Sequence, residues 1–328
     1  MTNTTPYYSL TPDRVMNALD SAGFQCDGRL QALHSYENRV YQVGMEDGPP
    51  VVAKFYRPER WTCAQILEEH AFLRELAEAE LPVVPPLEGE DELTLHEFEG
   101  FRFGVFPRRG GYAAEFDDPD ILERMGRLIG RVHAVGALRP YEHRPVLDIA
   151  GFGEEPRAFL LAEGFIPAEL REAYGSVSAL ALNKVRACFE RAGAVAAIRL
   201  HGDCYGGNVL WTGDGPYLVD FDDSRMGPAI QDLWMFLSGD RQEMSQQLGC
   251  LVAGYECFFD FDSREIHLIE ALRTLRLIHY AGWLARRWED PAFPQGFPWF
   301  GTSHYWQERI QELRGQIARM DEPPLWPA

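Results

Sequence analysis

His201-Gly202-Asp203 is followed, five residues after the aspartate, by Asn208, and a second short run ends in Asp220-Phe221-Asp222. A hydroxyl about to be phosphorylated needs a carboxylate to orient it and accept its proton, and a hard divalent cation needs oxygen ligands. Asp203 suits the first task; Asn208 and Asp220 suit the second. Together they are the equipment for moving a phosphoryl group from a metal-bound nucleotide.

These groups need a scaffold that gathers them. Val209-Leu210-Trp211 and Tyr217-Leu218-Val219 are apolar runs flanking Thr212-Gly213-Asp214-Gly215-Pro216, which predicts a β-hairpin. Asp203 and Asn208 enter one strand and Asp220 leaves the other, so the hairpin is expected to bring all three to one end. Gly202, Gly206 and Gly207 allow tight turning around the aspartate, and Cys204 and Tyr205 are bystanders.

The chain has 328 residues, 46% of them hydrophobic, enough for a large core divided into two lobes. Six cysteines, at 26, 63, 188, 204, 250 and 257, form no Cys-x-x-Cys pair, which argues for reduced thiols and against a zinc site or a disulfide framework. No apolar run of about 18 residues occurs, and Met1-Thr2-Asn3-Thr4-Thr5-Pro6 lacks the basic-then-apolar pattern of a secretory signal; a cytoplasmic location is expected. A formal net charge of −19 disfavours nucleic acid and anionic membranes as partners. It also makes a nucleoside triphosphate an awkward ligand unless cations are gathered locally.

Lys54 in Val51-Val52-Ala53-Lys54-Phe55 is such a cation, at the end of a strand-like run. Ile66, Leu67, Phe72, Leu73 and Leu76 then recur near helical spacing from Thr62 to Glu80, with Thr62 as N-cap. Glu68 and Glu69 lie on that helix, and Glu69 shares the face of Leu73 and Leu76. Upstream, residues 33–43 have a strand-turn-strand form without glycine; Ser35, Asn38 or backbone N–H groups could reach an anion there. Strands are expected at 93–98 and 101–106 around Gly100, a hinge at 106–111, and helices at 120–135 and 179–197. Residues 139–177, rich in Pro, Gly and charge, form an insert between those helices. Trp283, Trp288, Trp299 and Trp306 read as packing residues.

His-Gly-Asp-x-x-x-x-Asn followed by an apolar strand and Asp resembles the catalytic and metal-binding loops of the aminoglycoside phosphotransferase-like branch of the protein kinase superfamily. The resemblance implies an α+β, bilobal, protein-kinase-like fold. Residues 1–107 would form the N-lobe, an antiparallel β-sheet with one main helix; residues 108–328 would form a mostly α-helical C-lobe. It implies ATP as co-substrate between the lobes with Mg²⁺ as cofactor, Asp203 and Asp220 as catalytic residues, and Asn208 and Asp220 as metal ligands. Lys54, Ser35 and Glu69 would serve ATP binding, with Glu68 the alternative partner of Lys54. The resemblance also assigns Asp232 to accept hydrogen bonds from the catalytic-loop backbone; from the residues alone it opens an apolar helix. The insert and C-terminal helices would build the acceptor site, and no activation loop is recognisable between Asp222 and Asp232.

From about Leu10 to about Pro324 the chain is similar to a bacterial family of cytoplasmic Ser/Thr protein kinases. Ser35–Gln42, Val52–Trp61, Ile66–His70, Arg199–Trp211, Gln231–Met235 and Arg287-Trp288 carry this similarity. It implies protein substrates with Ser or Thr acceptors, the chain itself included, a stress-response role and a monomer. A small-molecule phosphotransferase, acting on an aminoglycoside, choline or a sugar, would share the same motifs. A non-catalytic nucleotide-binding regulator and a magnesium-dependent hydrolase account for fewer of them.

Overall fold

The computed structural model describes residues 6–326; Met1–Thr5, read above for a targeting signal, lie outside it. In chain order the elements are α1 (Pro12–Ser21), β1 (Cys26–Ala32), β2 (Arg39–Met45), β3 (Val51–Phe55), α2 (Cys63–Glu78), β4 (His96–Phe98), β5 (Phe101–Pro107), α3 (Pro119–Gly136), α4 (Glu155–Ala162) and α5 (Ala168–Ala192). There follow β6 (Ile198–Leu200), β7 (Val209–Thr212), β8 (Gly215–Leu218), β9 (Arg225–Gly227), α6 (Arg241–Tyr255), α7 (Ile269–Arg286), α8 (Ala292–Gly296) and α9 (Ser303–Asp321). No helix among the described residues is long and apolar enough to cross a membrane.

The chain divides into two compact units. The first comprises residues up to Ala114 together with Tyr141–Arg144 and Gly207–Ser224. Its antiparallel sheet has the order β1-β2-β3-β5-β4. Alternation along β3 sends Val51, Ala53 and Phe55 into a core with Val15, Ala18 and Leu19 of α1, and leaves Lys54 on the opposite face. Each buried Val, Leu or Phe side chain among these contributes about 1.5–3 kcal/mol. Among the described residues the sheet is accompanied by the one main helix expected, α2, and by the shorter α1. Thr11 caps α1 ahead of Pro12, a start signal not singled out above. Thr62 and Gln65 close a capping box on α2.

The hairpin β7–β8 pairs Val209 with Leu218 and Thr212 with Gly215. It is moored to the first unit on both sides: Tyr112 and Trp211 exchange N–H···O bonds of 3.0 and 2.9 Å, and Leu218 N–H donates to the Pro82 carbonyl at 3.0 Å. These moorings place the hairpin with the sheet rather than with the helices.

The second unit comprises Glu115–Pro140, Pro145–Gly206 and Arg225–Ala328 and is mostly helical. Close backbone approach sets the crossing of α3 and α6. A Cβ on Gly126 would fall 2.0 Å from the Leu251 carbonyl oxygen, and one on Gly254 would fall 2.0 Å from that of Glu123, so neither site admits a side chain. The helix expected at 179–197 is instead α5, Ala168–Ala192, stopped by Gly193 at φ 69°. The helix begins inside the stretch read as an insert, where α4 also lies; charged and glycine residues on exposed helix faces had masked the period. The strand expected at 93–98 shortens to His96–Phe98. Asp232 opens no apolar helix: it closes a 3₁₀ turn, Ala229–Asp232, with a second at Trp234–Phe236. The four tryptophans lie within this unit in an aromatic cluster, with Trp288 5.0 Å from Phe300 and Trp299 5.1 Å from Tyr305.

Candidate active site

In the first unit the site grows from Lys54. Its Nζ lies 3.3 Å from Glu69 Oε1, 3.1 Å from Asp220 Oδ1 and 3.1 Å from Asp222 Oδ1. Burial favours a neutral amine, but Asp222, Glu69 and Asp220 outweigh it and push the lysine well above its ordinary pKa. Of the two helix glutamates, Glu69 is the one that turns inward. Glu68 instead accepts the N–H groups of Glu142, His143 and Arg144 at 2.6, 3.1 and 2.8 Å.

Asp220 and Asp222 flank Phe221, whose ring packs edge-on to Phe72 of α2 at 5.9 Å and anchors the turn. Asp220 has φ 61°, a left-handed conformation that costs a non-glycine residue of order 1 kcal/mol or more and often marks a functional position. Its side chain is 57% exposed, whereas that of Asp222 is 5% exposed. Burial alone would raise Asp222, but the Arg60 guanidinium and Lys54 hold it down at about 2. Arg60 also meets Asp223 at 2.8 Å. Val219 N–H donates to the Asn208 carbonyl at 3.1 Å, so Asn208 and Asp220 share the open end of the hairpin.

An exposed carboxylate and a neighbouring carboxamide are hard oxygen donors and fit a magnesium ion that takes its remaining ligands from phosphate and water. Among the described residues no group of three or more His, Cys, Asp or Glu is placed to hold a metal ion. Ser35 sits half-buried in the turn between β1 and β2 and has no hydrogen-bond partner among the described residues. Asn38 in the same turn is buried, and its Oδ1 accepts the Arg57 N–H at 3.0 Å, a contact that pins the turn to the end of β3.

In the second unit β6 leads into His201-Gly202-Asp203, with Gly202 at φ 88° turning the chain. The buried Asp232 carboxylate accepts the His201 N–H at 2.7 Å and the Gly202 N–H at 2.9 Å. It also takes a 3.1 Å bond from His133 Nε2, while His133 Nδ1 lies 2.9 Å from the Tyr255 hydroxyl. An ionised carboxylate only accepts, so Nε2 is the donor to Asp232. Burial would raise Asp232, yet the His133 bond and the loop N–H groups hold it below its ordinary value. Gln231 Nε2 adds a 3.1 Å bond to the Gly202 carbonyl. The half-buried Asp203 carboxylate meets Arg276 Nη1 of α7 at 2.5 Å.

Sequence reasoning missed Asp222, Arg60, Arg144, His133 and Arg276 as members of these clusters. Asp222 and Arg60 stand beside residues that were singled out, and their charge was the available signal. His133 and Arg276 carry no local signal, because their partners are 99 and 73 residues away in the chain.

The profile of the phosphotransferase enzyme family matches residues 29–267. The chain belongs to that family. This phosphotransferase is 44% identical over 323 residues to stress response kinase A of Salmonella choleraesuis (strain SC-B67), covering 98% of this chain and 97% of that protein. Identity and coverage are the same with the "Serine/threonine protein kinase RdoA" of Salmonella typhimurium. With stress response kinase A of Escherichia coli K12 it is 44% over 319 residues, covering 97% and 96%. Among solved structures, an amicoumacin kinase in complex with AMP-PNP, Ca²⁺ and "Ami" superposes with TM-score 0.73 at 17% identity, over 96% of this chain and 95% of that one. A spectinomycin phosphotransferase in complex with ADP and spectinomycin gives 0.61 at 13% identity, over 95% and 94%. The phosphotransferase is thus an enzyme with the kinase-like fold: an antiparallel sheet followed by a mostly helical remainder.

Proposed function

We propose that the chain is an ATP- and Mg²⁺-dependent kinase that phosphorylates Ser and Thr hydroxyls of proteins, itself included, and acts as a cytoplasmic monomer in a bacterial stress response. The observation that carries the protein acceptor is the 44% identity, over nearly the full length of both chains, to proteins named as serine/threonine and stress response kinases. Residues 1–107 serve as the main part of the nucleotide lobe, which the compact units extend by residues 108–114, 141–144 and 207–224, and the rest of 108–328 serves as the lobe carrying the catalytic loop and the acceptor site.

Lys54, steadied by Glu69, binds the nucleotide phosphates, and Ser35 in the turn before β2 contributes a hydroxyl contact. Asn208 and Asp220 hold Mg²⁺, which when bound supplies charge neutralisation to the transferring phosphoryl group. Asp203 orients the acceptor hydroxyl. It takes the proton late, because a carboxylate is far too weak a base to ionise an alcohol beforehand. Asp232, through His201 and Gly202, keeps the loop bearing Asp203 in shape.

Replacing Asp203 by Asn removes the proton acceptor and keeps the shape. The Asp203→Asn variant is expected to lose transfer by a factor of 10² or more and to bind Mg-ATP about as the parent does. Near-normal turnover by the purified variant would contradict the assignment. The acceptor class is tested separately, by ATP consumption with small hydroxyl compounds against protein substrates.

A further inference from the structure

Arg144 has no place in the scheme above, yet its side chain is wholly buried in the first unit and makes four hydrogen bonds there. Nε donates to the Gln65 carbonyl at 2.7 Å and Nη2 to Glu69 Oε2 at 2.8 Å, both on α2. Nη1 donates to the carbonyls of Asp222 at 3.0 Å and Ser224 at 2.7 Å. The guanidinium also lies 4.9 Å from the Trp61 ring centroid. Glu68 fixes the short stretch that carries it, through the three backbone N–H bonds of residues 142–144.

The two oxygens of Glu69 are therefore divided: Oε1 faces Lys54 and Oε2 faces Arg144. One planar guanidinium ties the glutamate that steadies Lys54 to the segment directly after Asp220. Its five donors in a rigid fork suit such a junction, whereas a lysine would supply one point charge. Kinases of this general plan need both the Lys–Glu pair and the metal-binding aspartate in place, and many set them by modifying a loop. Here only nine residues separate Asp222 from Asp232, and they are taken up by β9 and a 3₁₀ turn.

We propose that Arg144 is a positioning residue that locks Glu69 and the Asp220–Ser224 segment into the nucleotide-competent arrangement, so that this arrangement is built into the fold. The proposal rests on the kinase reading for its effect on ATP, but the lock itself exists without nucleotide. Once the guanidinium is lost, Glu69 is free to leave Lys54, and the left-handed Asp220 is free to relax.

The test compares Arg144→Met, Arg144→Lys and Glu68→Gln with the parent full-length chain. Two readouts are taken: amide hydrogen exchange of residues 219–224 and α2 without nucleotide, and steady-state KM values for Mg-ATP and acceptor. Arg144→Met is expected to speed exchange at 219–224 and to raise the KM for Mg-ATP, each about tenfold or more, with the acceptor KM unchanged. Arg144→Lys should recover part of both. If Arg144→Met does not fold, Glu68→Gln, which keeps the guanidinium and loosens its support, should move both readouts about threefold in the same direction. A folded Arg144→Met or Glu68→Gln protein with parental exchange at 219–224 and parental Mg-ATP KM, changed only in melting temperature, would overturn the lock. A parent protein that neither binds nor consumes Mg-ATP would instead count against the kinase reading, and the exchange comparison would still decide the lock.

Discussion

At Lys54 one ammonium answers three carboxylates, and the balance among them governs both folding and chemistry. Lys54→Met leaves Glu69 and Asp222 buried with one cation fewer; Arg144 and Arg60 remain to compensate in part. Removing one partner from a buried ion cluster typically costs about 3 kcal/mol, which urea unfolding at neutral pH would register. The pH dependence follows from Asp222, whose folded pKa of about 2 lies below its unfolded value of 3.8. Its contribution is present above the unfolded pKa and is lost as pH falls through the folded one. Without Lys54 the depression shrinks, so acid unfolding of the variant should begin at higher pH; an unchanged acid midpoint would contradict this. Asp203, Asn208 and Asp220 could be singled out because residue types that do chemistry stand at short spacings, and Lys54 because it is a lone cation in a strand-like apolar run. Arg144 could not: its contacts are formed with residues 75 to 80 positions away, and an isolated arginine has no periodicity to betray it.

At the scale of elements, the loop bearing Asp203 is held by a turn rather than by a helix, and that turn is held in its own right. Glu265, on the 3₁₀ segment that precedes α7, accepts the Ile230 N–H at 2.8 Å and is pushed up to about 7 by burial. The folded state then binds a proton that the unfolded chain releases between about pH 4.5 and 7, so this group makes stability fall as pH rises through that window. The isosteric Glu265→Gln, which still accepts the backbone bond, lacks the effect. Relative to the parent it should gain about 3 kcal/mol across the window. Urea titrations at pH 5 and pH 8 on both proteins check this, and parallel pH dependences would contradict it. The hairpin and the Thr62-capped helix were readable from turn residues and periodicity. The start of α5 was not, because an amphipathic helix with a diluted polar face looks like a loop. Nor were the 3₁₀ turns around Asp232, because an apolar run beside a carboxylate resembles a helix start.

At the scale of the molecule, a chain of formal net charge −19 concentrates Lys54, Arg60 and Arg144 in one cluster of its first unit. Glu69, Asp220, Asp222 and Asp223 share that cluster, so it offsets the acidity of the chain locally without reversing its sign, and a polyphosphate there needs a divalent cation as well. Family membership and fold agree with phosphoryl transfer, and the acceptor is the part on which the motifs are silent. The deciding measurement is incubation of the purified chain with γ-labelled Mg-ATP and a cell extract, followed by identification of the labelled residue, alongside Asp203→Asn. Label recovered on Ser and Thr of protein, including the chain's own, and absent with Asp203→Asn, is the result predicted here. Label confined to small hydroxyl compounds, or equal labelling by the variant, would contradict it.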